Sequence, residues 1–173
     1  MKPLIVCVIV LASASLARAE LPLKVPSGFV VSEVCGPELA NDIYGIQIDT
    51  QGRLVAYGRG YVRQIFDSKR SVELVTGMTG GPMGLLWEGD TLWVVVDGGL
   101  KKYSNVTGRE PAKNPQTVLK IKTGGEHDAH AVRRGPDGKL YLLCGNNAGV
   151  NAMTVTSPNS PITVPVAGAL LRL

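Results

Sequence analysis

Aromatic residues are scarce in this sequence, at 5% of 173 residues, and charged residues make up only 18%. No basic patch or run is visible, so nucleic acid is not an expected partner. No CxxC or CxxCH spacing occurs, which leaves zinc-ribbon and c-type haem sites without support. The longest uninterrupted apolar run is about nine residues, well short of the ~20 needed to cross a bilayer, so no membrane span is expected. No segment of ten or more residues carries apolar positions at helical spacing. What is abundant is glycine (21) and proline (11). Together they form about 18% of the chain against a usual ~12%, which points to many turns and short segments and disfavours a helical bundle. Apolar residues, at 45%, are sufficient for a proper core and exclude a disordered tail.

That longest apolar run, Leu4 to Ala12, follows Lys2 and precedes Ala17-Arg18-Ala19. A small basic region, an apolar stretch and small residues at the positions read by signal peptidase predict a signal peptide over residues 1–19, cleaved before Glu20. The product is therefore expected to be exported, periplasmic or secreted. With Lys2 and Arg18 removed, the formal charge falls from +4 to +2. Only Cys35 and Cys144 remain in the mature chain. An oxidising compartment allows a disulfide between them. The other reading makes Cys144, in Leu140-Tyr141-Leu142-Leu143-Cys144, a small buried hydrophobe on a strand.

The body of the chain repeats one phrase three times. Residues 44–57, 83–96 and 131–144 each read as a strand, a turn rich in Gly and Asp, and a second strand rich in Leu, Val and aromatics. Aligning Leu54, Leu92 and Leu140 gives spacings of 38 and 48 residues. Third strands are expected at Tyr61–Asp67, Gly99–Tyr103 and Ala167–Leu173, and outer strands at Val72–Val75 and Thr117–Ile121. Four strands per ~40-residue period is the signature of a β-propeller, so the fold class is all-β, with blades at about 25–77, 78–123 and 124–173. A β-sandwich with similar hairpins fits the strand spacing but not the repeated order. Trp87 and Trp93 read as packing residues. Lys101-Lys102 and Arg133-Arg134 read as solvated strand-end charges, and Asn147–Pro165 as a long loop over one propeller face.

Both histidines lie in Gly124-Gly125-Glu126-His127-Asp128-Ala129-His130, immediately before the third copy. In a propeller, the loop entering a blade's inner strand faces the central axis, where ligands bind. Two glycines let the backbone approach a planar group closely. A histidine, with its ordinary pKa near 6.5, can serve there as a general base. Glu126, Asp128 and Asn146 are candidates to orient it. A transition metal on the two histidines and a neighbouring carboxylate, or a purely structural histidine, are the other readings. At odd spacing in extended chain the two rings point to opposite sides.

The stretch from Val25 to Leu173 resembles the start of the bacterial propeller dehydrogenases that include soluble glucose dehydrogenase and sorbosone dehydrogenase. It looks closest to the membrane-bound-dehydrogenase-like group of planctomycete-type bacteria, much of which is a domain of unknown function. The segment Pro26–Val34 resembles that group's first strand. The most specific match is His127, eight residues before Gly135-Pro136-Asp137-Gly138-Lys139-Leu140-Tyr141, followed by Gly145-Asn146-Asn147. The resemblance implies pyrroloquinoline quinone as cofactor, calcium as its polarising ion, and a sugar or other alcohol as substrate. It places His127 on the catalytic base and Asn146 on the aspartate that orients it. Glu126, Asp128, His130 and Asn147 would then lie on the axial face. An amide in the aspartate's place cannot stabilise the imidazolium as a carboxylate does. The alternative is a non-catalytic binding propeller of the NHL-like kind, holding a carbohydrate or a protein partner.

Three blades occupy nearly all of the mature chain, whereas closed propellers have four or more. The chain is therefore expected to be the N-terminal part of a longer six-bladed-type propeller, with most cofactor and calcium ligands beyond Leu173.

Overall fold

The computed structural model describes residues 23–154, 157–165 and 168–173. The expected signal peptide lies outside the described residues. Two units are distinguished, Met1–Glu33 and Val34–Leu173. In the first, the described residues form no strand, and Gly28 turns the chain at φ +91°. The expected first strand at Pro26–Val34 is not formed. No ladder pairs with it, and Phe29 and Val30 stand exposed instead of lying on a sheet.

The second unit is built from three antiparallel sheets and contains no helix among the described residues. Sheet 1 comprises β1 (Ile43–Ile48), β2 (Leu54–Gly58), β3 (Tyr61–Ile65) and β4 (Ser71–Val75). Sheet 2 repeats this order with β5 (Gly84–Glu88), β6 (Thr91–Val96), β7 (Gly99–Tyr103) and β8 (Gln116–Lys120). Sheet 3 holds β9 (Ala129–Arg134), β10 (Leu140–Cys144) and β11 (Ala169–Arg172), with β10 in the middle. The repeated phrase is thus the first hairpin of each sheet. The architecture is that of incomplete propeller-like blades, without closure.

Three of the turns share one local device. Asp49 Oδ1 accepts the N–H groups of Gln51 (2.9 Å) and Arg53 (2.8 Å), and Asp67 and Asp137 do the same two residues on, at Lys69 and Lys139. A short carboxylate can replace the backbone acceptor in a tight turn, which is why Asp recurs there.

Packing joins the sheets face to face. One apolar cluster lies between sheets 1 and 2 and contains Val55, Tyr57, Val62, Leu85, Trp87, Leu92 and Val94. A second lies between sheets 2 and 3 and contains Leu86, Val95, Leu100, Val132, Leu140 and Leu142. Each fully buried Leu or Val contributes roughly 1.5–3 kcal/mol of transfer free energy. The first strand of each sheet is an edge strand, so half of its backbone groups have no ladder partner. Side chains from both neighbouring sheets supply them on β5. The Trp87 backbone N–H donates to Gln47 Oε1 at 2.8 Å, and Gln47 Nε2 reaches the Trp87 carbonyl at 3.4 Å. Arg133 Nη1 donates to the Leu85 carbonyl at 2.9 Å. Arg134 pairs with Glu88 at 2.6 Å. Arg133 and Arg134 are therefore not merely solvated strand-end charges; they tie sheet 3 to sheet 2. Close approach of the first strands also needs a small residue, since a Cβ at Gly84 would lie 2.2 Å from the His130 carbonyl oxygen.

Cys35 and Cys144 are not joined in a disulfide. Cys35 packs beside Ala56, Tyr61 and Ile65 on sheet 1, whereas Cys144 is buried in the cluster between sheets 2 and 3. Burial pushes the Cys144 thiol up to about 11, as a small buried hydrophobe requires.

The turn of sheet 3 is locked to its last strand. Asp137 accepts Arg172 Nε at 2.7 Å and the Tyr141 hydroxyl at 2.9 Å. The Arg172 guanidinium, with the Lys139 N–H and the Tyr141 hydroxyl, holds the Asp137 carboxyl down to about 2. A depressed carboxylate stabilises the fold above its unfolded value and loses that contribution as pH falls through its folded one. The loss is thus expected between about pH 4 and pH 2, visible by NMR as an Asp137 carboxyl carbon that titrates in that range and moves part of the way back toward ordinary behaviour in Arg172→Ala, where the Lys139 N–H and Tyr141 hydroxyl remain.

Candidate functional site

The Gly124–Asp128 segment is a turn leading into β9, and its geometry is set by Asp128. This side chain is 2% exposed. Its Oδ2 accepts the Gly125 N–H at 2.9 Å, while the Asp128 N–H returns to the Gly125 carbonyl at 3.1 Å. Its Oδ1 lies 3.5 Å from Lys122 Nζ and accepts no hydrogen bond. The turn's base is closed by the Ala129 N–H on the Lys122 carbonyl at 2.9 Å.

A second turn, Gly145–Ala148, follows β10 and is sewn to the first through backbone alone. The Gly145 N–H donates to the Asp128 carbonyl at 2.8 Å, and the Asn147 N–H donates to the His127 carbonyl at 2.7 Å. The Lys122 N–H reaches the Ala148 carbonyl at 3.2 Å. The His127 peptide is therefore fixed while its imidazole stays exposed, with no hydrogen bond to any described residue. No heavy atom outside its immediate neighbours lies within 4 Å of where a Cβ of Gly124 would sit, which leaves that side of the turn open to a ligand. Asn146, Asn147 and Glu126 are exposed beside it.

The candidates divide into two sets. His130, half-buried on β9, has Nε2 2.7 Å from the Glu126 carbonyl oxygen. A carbonyl only accepts, so Nε2 carries the proton and the ring is held by its own turn. Asp128 faces inward to Gly125 and Lys122. Among the described residues, no three His, Cys, Asp or Glu side chains gather into a group that could hold a metal ion. His127 thus stands apart as the presented imidazole, and Asn146 is an exposed residue of the turn that pins its peptide. The pairing of the two turns is what the sequence did not disclose: backbone hydrogen bonds leave no residue-type signal apart from Gly145.

That glycine is required because a Cβ there would lie 2.4 Å from the His127 carbonyl oxygen and 3.0 Å from that of Asp128. Both are backbone atoms held in hydrogen bonds, so neither can yield cheaply. Gly145→Ala is expected to cost about 1–3 kcal/mol. It should also release the Asn147 amide to fast hydrogen exchange, whereas Gly149→Ala should leave that amide protected.

Two cavities lie elsewhere. One of about 330 Å³, open to solvent, is lined by the Ser104–Asn114 connection between β7 and β8. One of about 550 Å³ is lined by Val150, Thr154, Ser157, Ser160 and Leu170, among others, in the long connection from β10 to β11 and on β11 itself. His127 lines neither.

No family model and no curated protein matches the sequence. Among solved structures, the chain is similar to a Thermus thermophilus protein described provisionally as an oxidoreductase (glucose dehydrogenase), at 18% identity and a TM-score of 0.48. The match covers 74% of this chain and 44% of that one, so the chain spans less than half the length of that protein.

Proposed function

We propose that the chain is the site-bearing part of an exported quinoprotein-like dehydrogenase, with a sugar or other alcohol as substrate and His127 as general base. The observation that carries this reading is the exposed His127 imidazole on a turn whose backbone is pinned from the neighbouring turn. A base needs a fixed position and free access to the hydroxyl it deprotonates, and this arrangement supplies both. The resemblance of the His127 to Asn146 stretch to the glucose and sorbosone dehydrogenases supports the same residue.

The surroundings of His127 fit one side of a quinone site. The unobstructed Gly124 gives a planar group room to approach, and the exposed amides of Asn146 and Asn147 offer donors to its oxygens. A bound quinone would supply the hydride acceptor. His127 takes the hydroxyl proton as the carbon–hydrogen bond of the same carbon breaks, so the alcohol leaves as a carbonyl compound. Asp128 keeps the turn in shape from beneath. None of these residues is assigned to calcium.

The test is addition of pyrroloquinoline quinone and calcium to the full-length protein, including the blades expected beyond Leu173, followed by equilibrium dialysis and dye reduction with a panel of sugars and alcohols. Retained quinone with substrate-dependent dye reduction is the expected result. No retained quinone would sink the reading. The second reading is a non-catalytic binding propeller, favoured by one observation: no described carboxylate is hydrogen-bonded to the His127 ring. Retention of a carbohydrate without quinone uptake would favour it.

A further inference from the structure

A fold requires glycine where φ is positive or where a Cβ would collide with a neighbour. Of the 21 glycines, eleven have a positive φ, and nine others would bring a Cβ within 3.0 Å of another group. Among the described residues, Gly80 alone has neither feature. Its φ lies outside the left-handed region, and a Cβ there would meet only Asp97 Oδ1, at 3.8 Å, an ordinary contact. The adjacent Gly81 differs, since its Cβ would lie 2.5 Å from Cε2 of the Tyr44 ring. The fold thus has room for a side chain at position 80, and the sequence leaves that room empty.

Position 80 is tied to the His127 turn. Gly80 stands in the loop entering β5 and His127 in the loop entering β9, and these two strands lie beside one another. The turn between β6 and β7 links the loops. Asp97 accepts the Gly80 N–H at 3.0 Å, the Thr79 N–H at 3.1 Å and the Thr79 hydroxyl at 2.8 Å. The next residue, Gly98, donates its N–H to Thr123 Oγ1 at 2.8 Å, and Thr123 leads directly into Gly124. Like Gly124, Gly98 has no heavy atom beyond its immediate neighbours within 4 Å of where a Cβ would sit. Gly80, Gly98 and Gly124 therefore form a strip of bare backbone that ends at the His127 turn. Sheet 2 has a described sheet packed on each face, so the strip lies at neither end of the chain.

We propose that Gly80 is a specificity-determining position of the His127 site, and that the room it leaves takes the body of a sugar whose reacting hydroxyl faces His127. This rests on the reading of His127 as general base and narrows its substrate class. A short alcohol needs only the base and the hydride acceptor, and would leave the strip uncovered. A sugar ring extends well beyond its reacting carbon, and backbone free of side chains lets such a ring lie close. The missing side chain at position 80 is thus accounted for by the ligand and not by the fold.

The test uses the full-length protein, including the blades expected beyond Leu173, as wild type, Gly80→Ala and Gly80→Leu. Binding of glucose and other hexoses is read by calorimetry without quinone. KM and kcat are then read with pyrroloquinoline quinone and calcium, for the hexoses and for ethanol. Neither variant should melt below the wild type, because position 80 has an ordinary φ and free space. Gly80→Leu is expected to weaken hexose binding and raise the hexose KM by at least about tenfold. Gly80→Ala should do so less, and neither should move the KM for ethanol by more than about twofold. Absence of quinone uptake in the wild type would remove the dehydrogenase reading, whereas unchanged hexose binding in Gly80→Leu would remove this one, and it is seen without quinone. The proposal is also overturned if the wild type binds no hexose or if KM rises equally for ethanol. A lower melting temperature in Gly80→Ala overturns it too, since the fold itself would then need the glycine.

Discussion

Trp87→Ala is expected to lower the free energy of unfolding by about 3–5 kcal/mol, a large part of the 5–15 kcal/mol that holds a typical domain. Trp87 is 1% exposed and lies in the cluster between sheets 1 and 2. Its ring is covered on one side by the Arg53 guanidinium at 3.5 Å, which also donates to the Gly89 carbonyl at 3.1 Å. Gly108 lies so close that a Cβ there would sit 2.8 Å from Cη2 of the ring. A cavity left between two backbone segments and an anchored arginine has little room to collapse, which puts the cost toward the upper part of that range. The Gln47 clamp holds only the Trp87 backbone, so it survives truncation and does not compensate. The indole Nε1 is buried without a hydrogen-bond partner. Trp87→Phe removes that orphan donor while keeping most of the apolar contact, and should cost far less than the alanine variant. Urea denaturation of the pair checks this: similar losses in both would show that the ring does not anchor the junction.

His127→Ala should reduce turnover in the quinone assay by about two to four orders of magnitude and leave the melting temperature where it was. The side chain is exposed and makes no hydrogen bond, so its loss leaves no unsatisfied partner and no cavity. His130→Ala is the contrasting variant. It releases the Glu126 carbonyl, for which about 1 kcal/mol of stability is expected to go, but it leaves the His127 peptide anchored by Asn147. Turnover in that variant should fall far less than in His127→Ala. Equal activity losses in the two would assign the segment a structural role and remove His127 from the position of base.

The architecture was legible because its signals are local. Alternation of apolar residues, Asp and Gly in the turns, and a phrase repeated around Leu54, Leu92 and Leu140 predict hairpins, and a hairpin forms from neighbours in the chain. Third and outer strands were legible for the same reason, since each continues a meander. Segment 26–34 was expected to be a strand from the resemblance alone, which names no partner for it; a strand is a property of a pair. Whether Cys35 and Cys144 are bridged was left open by the sequence, because two cysteines carry no spacing information; the fold puts them in different clusters.

The site divides along the same line. Its conspicuous residues, both histidines and the double glycine, stand together in one short stretch of chain and were visible at once. What each does was decided by contacts from elsewhere: the Glu126 carbonyl occupies His130, burial turns Asp128 inward, and the distant Gly145–Asn147 turn pins His127. Likewise, Gln47, Arg133 and Arg134 read as ordinary polar residues until the edges of β5 and β9 come beside them. The sequence by itself determined the strands, their turns and the all-β repeat, because those follow from backbone preferences and periodicity over a few residues. Only the tertiary structure decided which faces are covered, which histidine is presented and which apolar positions remain open, because these depend on groups brought together from tens of residues apart.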